Sequence, residues 1–218
     1  MFYWHKNFKY DKIILLEICD ILIWKCIKIL SDEKFIQFKE KIMKYLIATD
    51  IHGSADSANI ILEKFEKIKA DKIILLGDIL YHGPRNDLPE NYNPKKVTEL
   101  LNSVSDKIVA VQGNCDAEVD QMVLNFELQK EKVVEVANKK YFLTHGHHVN
   151  ANEPADLEKG TIVLHGHTHV IKKDVVDGVT YINIGSITLP KNGTPKCYAV
   201  LDEDGVKVYD LNDNEVVF

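Results

Sequence analysis

The stretch KYLIATDIHGS, residues 44–54, begins with a short apolar run and ends in a polar loop. The run is typical of a buried strand, and Ser54 stands where the N-cap of a following helix is expected. The next apolar residues recur at helical spacing and would share one face: Ala58, Ile61, Leu62, Phe65 and Ile68. This part of the chain therefore predicts a strand, a loop and a helix in succession.

The same order recurs further along the chain. KIILL (72–76) is a second apolar run followed by Gly-Asp, and Asn93 with Pro94 predicts the start of a second helix. KIVAV (107–111) is a third run, and QGNCD follows it. Because strands that alternate with helices form parallel sheets, this half predicts a largely parallel central sheet. Such sheets bind their ligands at the carboxyl ends of the strands.

The second half of the chain has no clear helical pattern. The segments KVVEVA, YFLTH and TIVLH predict strands, and Asp-Gly pairs at 177–178 and 204–205 predict hairpin turns. The last segment, residues 196–211, is expected to form an antiparallel edge. The whole sequence therefore predicts an α/β protein with a second, mixed sheet.

Composition favours one soluble globular domain rather than a disordered or membrane protein. Of 218 residues, 45% are hydrophobic and 28% are charged. The four cysteines lack CxxC spacing, which argues against a disulfide framework or a zinc knuckle. The net charge of −6 argues against non-specific binding of long nucleic acids, since phosphate backbones need a positive field. A phosphate substrate would have to be held locally, for instance by metal ions.

Residues 1–42 differ in composition from the remainder and are expected to be an N-terminal extension, helical or poorly ordered. They contain both tryptophans but no glycine or proline, and charged residues interrupt their apolar part. A membrane span needs ~20 predominantly apolar residues, so we expect no membrane association and a cytoplasmic protein. Because the change occurs at Met43, the extension is also open to interpretation as an artefact of start-site choice. Residues 43–218 are expected to form one globular domain.

Side chains able to bind metal ions follow five of the predicted strands. They are Asp50, His52, Asp78, Asn114, His145, His167 and His169. Each fragment alone is usually no more than a turn. Their joint placement at strand ends predicts one metal-binding site along the edge of the sheet.

At these positions the chain resembles the calcineurin-like metallophosphoesterases. The motifs that carry the resemblance are DIHG (50–53), GD (77–78), GNCD (113–116), THGH (144–147) and GHTH (166–169). Within that superfamily it is similar to the YfcE-type bacterial phosphodiesterases, through YHGPRNDLP (81–89) and GNCDAEVDQM (113–122). The resemblance covers residues 43–218 and not the extension.

The resemblance implies a four-layer α/β/β/α sandwich with two mixed sheets and a dinuclear metal centre. It implies that Asp50, His52 and His169 hold one ion, that Asn114, His145 and His167 hold the other, and that Asp78 bridges them. Manganese is the family expectation, and Zn²⁺, Fe²⁺ or Ni²⁺ also suit mixed oxygen and nitrogen ligands.

The activity implied is hydrolysis of phosphodiester bonds in small substrates, by in-line attack of a water activated between the two ions. Asp78, Asn114 and His145 would carry the catalysis. Long nucleic acids and membranes are not expected as partners, and self-association is left open. One alternative is a phosphomonoesterase or nuclease of the same superfamily. Another is a non-catalytic scaffold, since a retromer subunit resembles this fold, although here no ligand is missing.

Cys115 is a departure from most of the superfamily, which has a histidine after the motif asparagine. A thiolate nucleophile, a metal ligand and a space-filling residue are three interpretations of this cysteine. Gln121 stands where a cysteine-dependent phosphatase would need arginine, which argues against the nucleophile. The departure leaves the general acid open.

Three further residues are candidates for contact with the substrate or with the metal ligands. His82 and His147 could protonate the leaving group or could be ordinary surface histidines. Arg85 could bind a phosphate through two parallel hydrogen bonds or could fix its own loop by a salt bridge.

Overall fold

The structure, a computed structural model, describes Ile23, Lys25 and residues 42–217. The extension expected over residues 1–42 therefore lies almost entirely outside the described residues. In the described part of the chain, no helix is long and apolar enough to cross a membrane.

Residues 42–217 form two α-helices, two short 3₁₀ helices and twelve strands. In the first half these are β1 (Tyr45–Ala48), α1 (Ala55–Ile68), β2 (Lys72–Leu75), α2 (Pro94–Asn102), β3 (Ile108–Val111) and β4 (Leu128–Gln129). Then follow β5 (Lys132–Val136), β6 (Lys139–Leu143), β7 (Ile162–His165), β8 (Ile171–Val176) and β9 (Val179–Ile184). The last strands are β10 (Cys197–Asp202), β11 (Gly205–Asp210) and β12 (Glu215–Val216).

Both helices begin at the residues that the sequence indicates. The Ser54 side chain accepts a hydrogen bond from the Ser57 amide at 3.3 Å, and the Asn93 side chain accepts one from the Lys96 amide at 3.1 Å. These caps satisfy backbone donors that the first helical turn leaves free. α1 ends at Lys69, which has a left-handed conformation with φ of 52°.

The first sheet has the strand order β12-β11-β10-β1-β2-β3-β4. β1, β2, β3 and β4 are parallel, as predicted, because helical crossovers connect the first three. The C-terminal strands are antiparallel, and β10 pairs with β1. Of these C-terminal strands only β12 lies at an edge of the sheet, so the expected edge over residues 196–211 is wrong for β10 and β11, and Cys197 on β10 is buried inside the sheet.

The second sheet has the strand order β5-β6-β7-β9-β8. β6, β7 and β9 are parallel, whereas β5 and β8 are antiparallel to their neighbours. The predicted hairpin turn at Asp177 and Gly178 joins β8 to β9, and both residues have positive φ. This sheet is mixed, as the sequence predicts.

The two sheets pack face to face around an apolar core. Ile47 and Ile74 of the first sheet belong to the same buried cluster as Leu143, Leu164 and Ile184 of the second. The helices cover the other face of the first sheet. The outer face of the second sheet packs against the irregular segment 149–157. The predicted α/β architecture of two mixed sheets with helices is confirmed.

The parallel strands of both sheets bring their carboxyl ends to one region. The amide of Gly166, after β7, donates to the carbonyl of His145, after β6, at 3.0 Å. The ring of His145 in turn contacts the carbonyl of Leu76, after β2, at 2.7 Å. Loops from different strands and both sheets are therefore packed against one another at this site.

Candidate metal centre

The metal-binding side chains singled out in the sequence all lie at this junction of loops. Asp50 and His52 follow β1, Asp78 follows β2, Asn114 follows β3, His145 follows β6, and His167 and His169 follow β7.

Asp50, His52 and His169 form one group of converging ligand atoms. Asp50 Oδ1 lies 3.2 Å from His169 Nε2 and 3.6 Å from His52 Nε2, and the two imidazole nitrogens are 3.1 Å apart. All three residues are buried. Among the described residues, none donates a well-aligned hydrogen bond to Asp50 Oδ1. A buried carboxylate oxygen without a donor is expected where a cation binds.

Asp78 lies between this group and the histidine of the other sheet. Its Oδ2 is 3.7 Å from His52 Nε2 and 3.4 Å from His145 Nε2. Its Oδ1 accepts a hydrogen bond from the Cys115 amide at 2.8 Å. One oxygen thus faces candidate ligands from both sheets while the backbone hydrogen bond to the other fixes the carboxylate, an arrangement compatible with a ligand that bridges two ions.

The second group is more open. Asn114 is exposed, and its Oδ1 lies 3.0 Å from His145 Nε2. The His167 ring centroid is 5.1 Å from that of His145, and the His167 amide donates to Asp50 Oδ2 at 3.1 Å. The two groups are therefore contiguous, and the second one faces the solvent.

Three of the imidazoles are oriented by backbone carbonyls. His52 Nδ1 lies 2.9 Å from the Tyr81 oxygen, His145 Nδ1 lies 2.7 Å from the Leu76 oxygen, and His169 Nδ1 lies 2.6 Å from the Leu189 oxygen. A carbonyl only accepts, so Nδ1 carries the proton and Nε2 is left to bind a metal. Together with the unpartnered Asp50 oxygen, these three nitrogens fit a centre for divalent cations.

The charges of the site are strongly coupled. Burial alone would lower the pKa of His145, but the hydrogen bond to Asp78 and the charge of Asp50 raise that pKa to about 9. Burial would likewise raise the pKa of Asp50, yet His169 and His52 hold it well below its ordinary value. Ionised carboxylates thus attract positive charge to the site, which bound cations would supply in place of protons.

Five of the seven residues have a left-handed backbone. The φ angles are 57° at Asp50, 50° at His52, 53° at Asp78, 71° at His167 and 61° at His169. This conformation is costly outside glycine and is typically retained at functional sites. Hydrogen bonds hold it in place: the Asp50 amide donates to the Gly77 carbonyl at 3.1 Å, and the Ser186 hydroxyl donates to the Asp50 carbonyl at 3.2 Å.

Asp116 connects two of the ligand loops, a role that the sequence did not indicate. Its carboxylate accepts hydrogen bonds from the amides of Asp78 at 2.8 Å, Ile79 at 2.7 Å and Gly113 at 2.7 Å. The loops are so close that a Cβ on Gly113 would lie 2.1 Å from Asp78 Oδ1. In the sequence, the only indication of this role was the position of Asp116 in the GNCD motif.

Cys115 is half-buried beside the metal ligands. Its Sγ lies 3.3 Å from Asn114 Nδ2, and it forms a third group of possible ligands with His52 and Asp78. Burial and the neighbouring Asp78 raise the pKa of the thiol to about 12. The residue is therefore a neutral thiol in the metal-free protein, which argues against the nucleophile interpretation.

Arg85 and His147, two of the remaining candidates, line two clefts that meet at Asn114. The larger, of about 710 Å³, contains Arg85 and also Lys191, which the sequence did not single out. The smaller, of about 550 Å³, contains His147. Burial and then the charge of His145 lower the pKa of His147 to about 4.

His82 packs away from the ligand atoms. Its ring contacts Tyr81 and Tyr92 edge-on, with centroids 4.7 Å and 5.3 Å away. Its Nδ1 is buried, and no described residue makes a hydrogen bond to it. His82 does not line either cleft.

Replacing Asp116 with asparagine tests its role as a connector of loops. The Asp116→Asn side chain has nearly the same size and shape, but its NH₂ group cannot accept the hydrogen bonds that backbone amides donate to the carboxylate. We therefore expect a loss of roughly 2–3 kcal/mol in the free energy of unfolding. We also expect weaker metal binding. Asp120→Asn is the control, because among the described residues the Asp120 carboxylate accepts only one backbone hydrogen bond, from the Ala117 amide at 2.8 Å. Denaturant unfolding and metal titration would measure both effects. Equal losses in the two variants would contradict this role.

Comparison with known proteins identifies the family of this chain. The profile of the calcineurin-like phosphoesterase superfamily domain matches residues 43–205. The phosphodiesterase YfcE of Escherichia coli strain K12 is 42% identical over 176 residues, which are 80% of this chain and 96% of that protein.

Solved structures give the same result. A structure of the E. coli phosphoesterase YfcE matches with a TM-score of 0.77 and 40% identity, over 80% of this chain and 97% of that one. Vps29 from Entamoeba histolytica, solved with Zn²⁺, matches with a TM-score of 0.54 and 20% identity, over 80% and 98% of the two chains. The second likeness shows the fold alone. On the profile match and the identity to YfcE, this chain belongs to the calcineurin-like phosphoesterase superfamily.

Proposed function

We propose that this protein is a dinuclear metal-dependent phosphodiesterase that acts on small substrates. The observation that carries the proposal is the position of Asp78 Oδ2, 3.7 Å from His52 Nε2 and 3.4 Å from His145 Nε2. The unpartnered oxygen of Asp50 supports it. The identity of 42% to a protein named a phosphodiesterase favours diesters over monoesters.

Each ligand group would hold one ion. Asp50, His52 and His169 would bind the first, Asn114, His145 and His167 the second, and Asp78 both. When bound, two divalent cations activate a water molecule and neutralise phosphate oxygens. The mixed carboxylate, amide and imidazole set suits Mn²⁺, with Zn²⁺, Fe²⁺ and Ni²⁺ as further candidates.

The protein's own part is to arrange these groups before the substrate arrives. Carbonyl hydrogen bonds fix three imidazoles, and Asp116 fixes the loops of Asp78 and Asn114. Asp50 and Asp78 would neutralise only part of the charge of two divalent ions. The loaded centre would therefore be positive and would attract an anionic phosphate. Preorganised groups of this kind need little rearrangement in the transition state.

Among the described residues, Cys115 and His147 are the candidate side chains beside the centre for the acid that protonates the leaving group. Burial raises the pKa of the Cys115 thiol to about 12, and burial with His145 lowers the pKa of His147 to about 4, so that its imidazole is neutral at pH 7. Neither side chain is well matched to donating a proton at neutral pH. We therefore expect a preference for diesters with acidic leaving groups, such as nitrophenol.

Metal removal combined with a substrate panel tests the function. Chelation should abolish hydrolysis of bis(p-nitrophenyl) phosphate, and Mn²⁺ should restore it best. The metal-loaded protein should hydrolyse this diester faster than p-nitrophenyl phosphate or single-stranded DNA. Full activity in the metal-free protein would refute the metal mechanism. Faster turnover of the monoester or of DNA would favour the phosphomonoesterase or nuclease, and no turnover with ions bound would favour a scaffold.

Cys115→Ala should keep most of the activity toward activated aryl diesters. If the thiol were the nucleophile, no other group could replace it in a covalent mechanism, and this change would lower the rate of hydrolysis by several orders of magnitude. The measurement is kcat/KM for bis(p-nitrophenyl) phosphate, with metal content determined in parallel. Abolished turnover with both ions still bound would show that the thiol is essential.

Cys115→His is the complementary variant. An imidazole near the leaving oxygen could act as a general acid, a contribution that is typically 10²–10⁴-fold where the geometry is right. Space is limited, since a Cβ on Gly83 would lie 2.9 Å from Cys115 Sγ. We therefore expect a smaller gain, seen for alkyl esters relative to aryl diesters. An unchanged ratio at normal metal content would contradict the role of this position.

A further inference from the structure

The larger cleft extends well beyond the metal ligands. Its volume of about 710 Å³ is within the range of small-molecule sites. The loop from Tyr81 to Asn86 forms one part of its wall, and Lys191 forms another. The cleft thus has space and side chains for a part of the substrate that does not touch the metal centre.

Two cations on this wall have no acidic partner among residues 42–217. Among the described residues, neither Arg85 nor Lys191 forms an ion pair, and Lys191 Nζ contacts only an amide oxygen, that of Asn86 at 3.3 Å. The carboxylates in the lining are Asp78, a proposed metal ligand, and Asp116, which three backbone amides occupy. In a chain of net charge −6, two cations left without an acidic partner in one cleft indicate an anionic ligand.

The same loops that carry these cations also orient two metal-binding histidines. The carbonyl of Tyr81 accepts from His52 Nδ1 at 2.9 Å, and the carbonyl of Leu189 accepts from His169 Nδ1 at 2.6 Å. The amide of Lys191 donates to the carbonyl of His169 at 3.0 Å. The backbone segments that carry Arg85 and Lys191 are therefore held by hydrogen bonds at fixed positions relative to the proposed metal centre.

Asn86 fixes the direction of the lysine. Its Nδ2 donates to the His82 carbonyl at 2.8 Å, which leaves Oδ1 to face Lys191. The smaller cleft offers no such pair, since its lining has one cation, Lys130, and two carboxylates, Glu131 and Asp116. Only the larger cleft is therefore biased toward an anion.

We propose that the preferred substrate is a phosphodiester with a second phosphate on one of its ester arms, which Arg85 and Lys191 bind while the scissile phosphate lies at the metal centre. The inference rests on the proposed function. A terminal phosphate carries up to two negative charges, which match the two cations, and a guanidinium binds phosphate through two parallel hydrogen bonds.

Two chromogenic diesters that differ by one phosphate test this inference. One is the p-nitrophenyl ester of thymidine 5′-phosphate, and the other carries an additional 3′-phosphate. In both reactions, the oxygen of a water molecule bonds to phosphorus, and the bond between phosphorus and the nitrophenyl oxygen breaks. One proton of that water goes to the departing nitrophenolate or to the solvent. For the Mn²⁺-loaded wild type, we expect kcat/KM to be roughly tenfold higher for the bisphosphate, mostly through KM.

Variants of the two cations test whether the preference for the bisphosphate ester arises at Arg85 and Lys191. Arg85→Met and Lys191→Met should each reduce the ratio of the two kcat/KM values, and the double variant should bring it close to 1. Lys196→Met is the matched control, because Lys196 is an exposed lysine in the same segment that does not line the cleft. It should keep the wild-type ratio. Salt should weaken the preference, since exposed charges are screened.

The outcomes separate this inference from the proposed function. A wild-type ratio near 1, or a ratio that the double variant leaves unchanged, would overturn the second-phosphate site alone. If neither ester is hydrolysed, the proposed function fails, and calorimetry with Mn²⁺-loaded protein decides the site. Thymidine 3′,5′-bisphosphate should then bind roughly tenfold more tightly than thymidine 5′-monophosphate, and equal affinities would overturn the inference.

Discussion

Two buried carboxylates, Asp50 and Asp78, impose the main constraint on this structure. They are 0% and 2% exposed, and each has an oxygen within 4.8 Å of the other and of His145. Like charges can be buried this closely only if positive charge compensates them. Imidazoles from both sheets meet this need in part, and bound cations would complete it. The left-handed backbone at five of the candidate ligand positions is the cost of bringing these groups together.

The fold meets this constraint through close contact between loops. Asp116 joins the loops after β2 and β3, and Gly113 allows them to approach. A Cβ on Gly166 would lie 2.2 Å from the Thr49 hydroxyl, so the loop after β7 packs equally closely on the loop after β1. Parallel strands direct all of these loops to one side. The positions of the ligands are therefore a property of the sheets and not of any single loop.

The sequence predicts the elements that local patterns determine. The apolar runs and caps near Ser54 and Asn93 give the strands and helices of the first half, and polar residues after those runs give the candidate ligands. Which sheet β10 joins was not predictable, because a hairpin signal does not specify a partner strand. The carbonyls that orient the histidines have no sequence signature, and Lys191 looks like any surface lysine. Asp116 was visible only as part of a motif, and the division of ligands between two ions came from the resemblance alone.

The central claim is that the two ligand groups share Asp78, and the number of bound ions tests it most directly. Metal analysis and electron paramagnetic resonance on Mn²⁺-loaded protein should show two ions per chain with magnetic coupling between them. Asp78→Asn should retain at most one, while His82→Ala, which changes a histidine outside the ligand set and outside both clefts, should retain two. A single ion in the wild type, or two coupled ions in Asp78→Asn, would contradict the account.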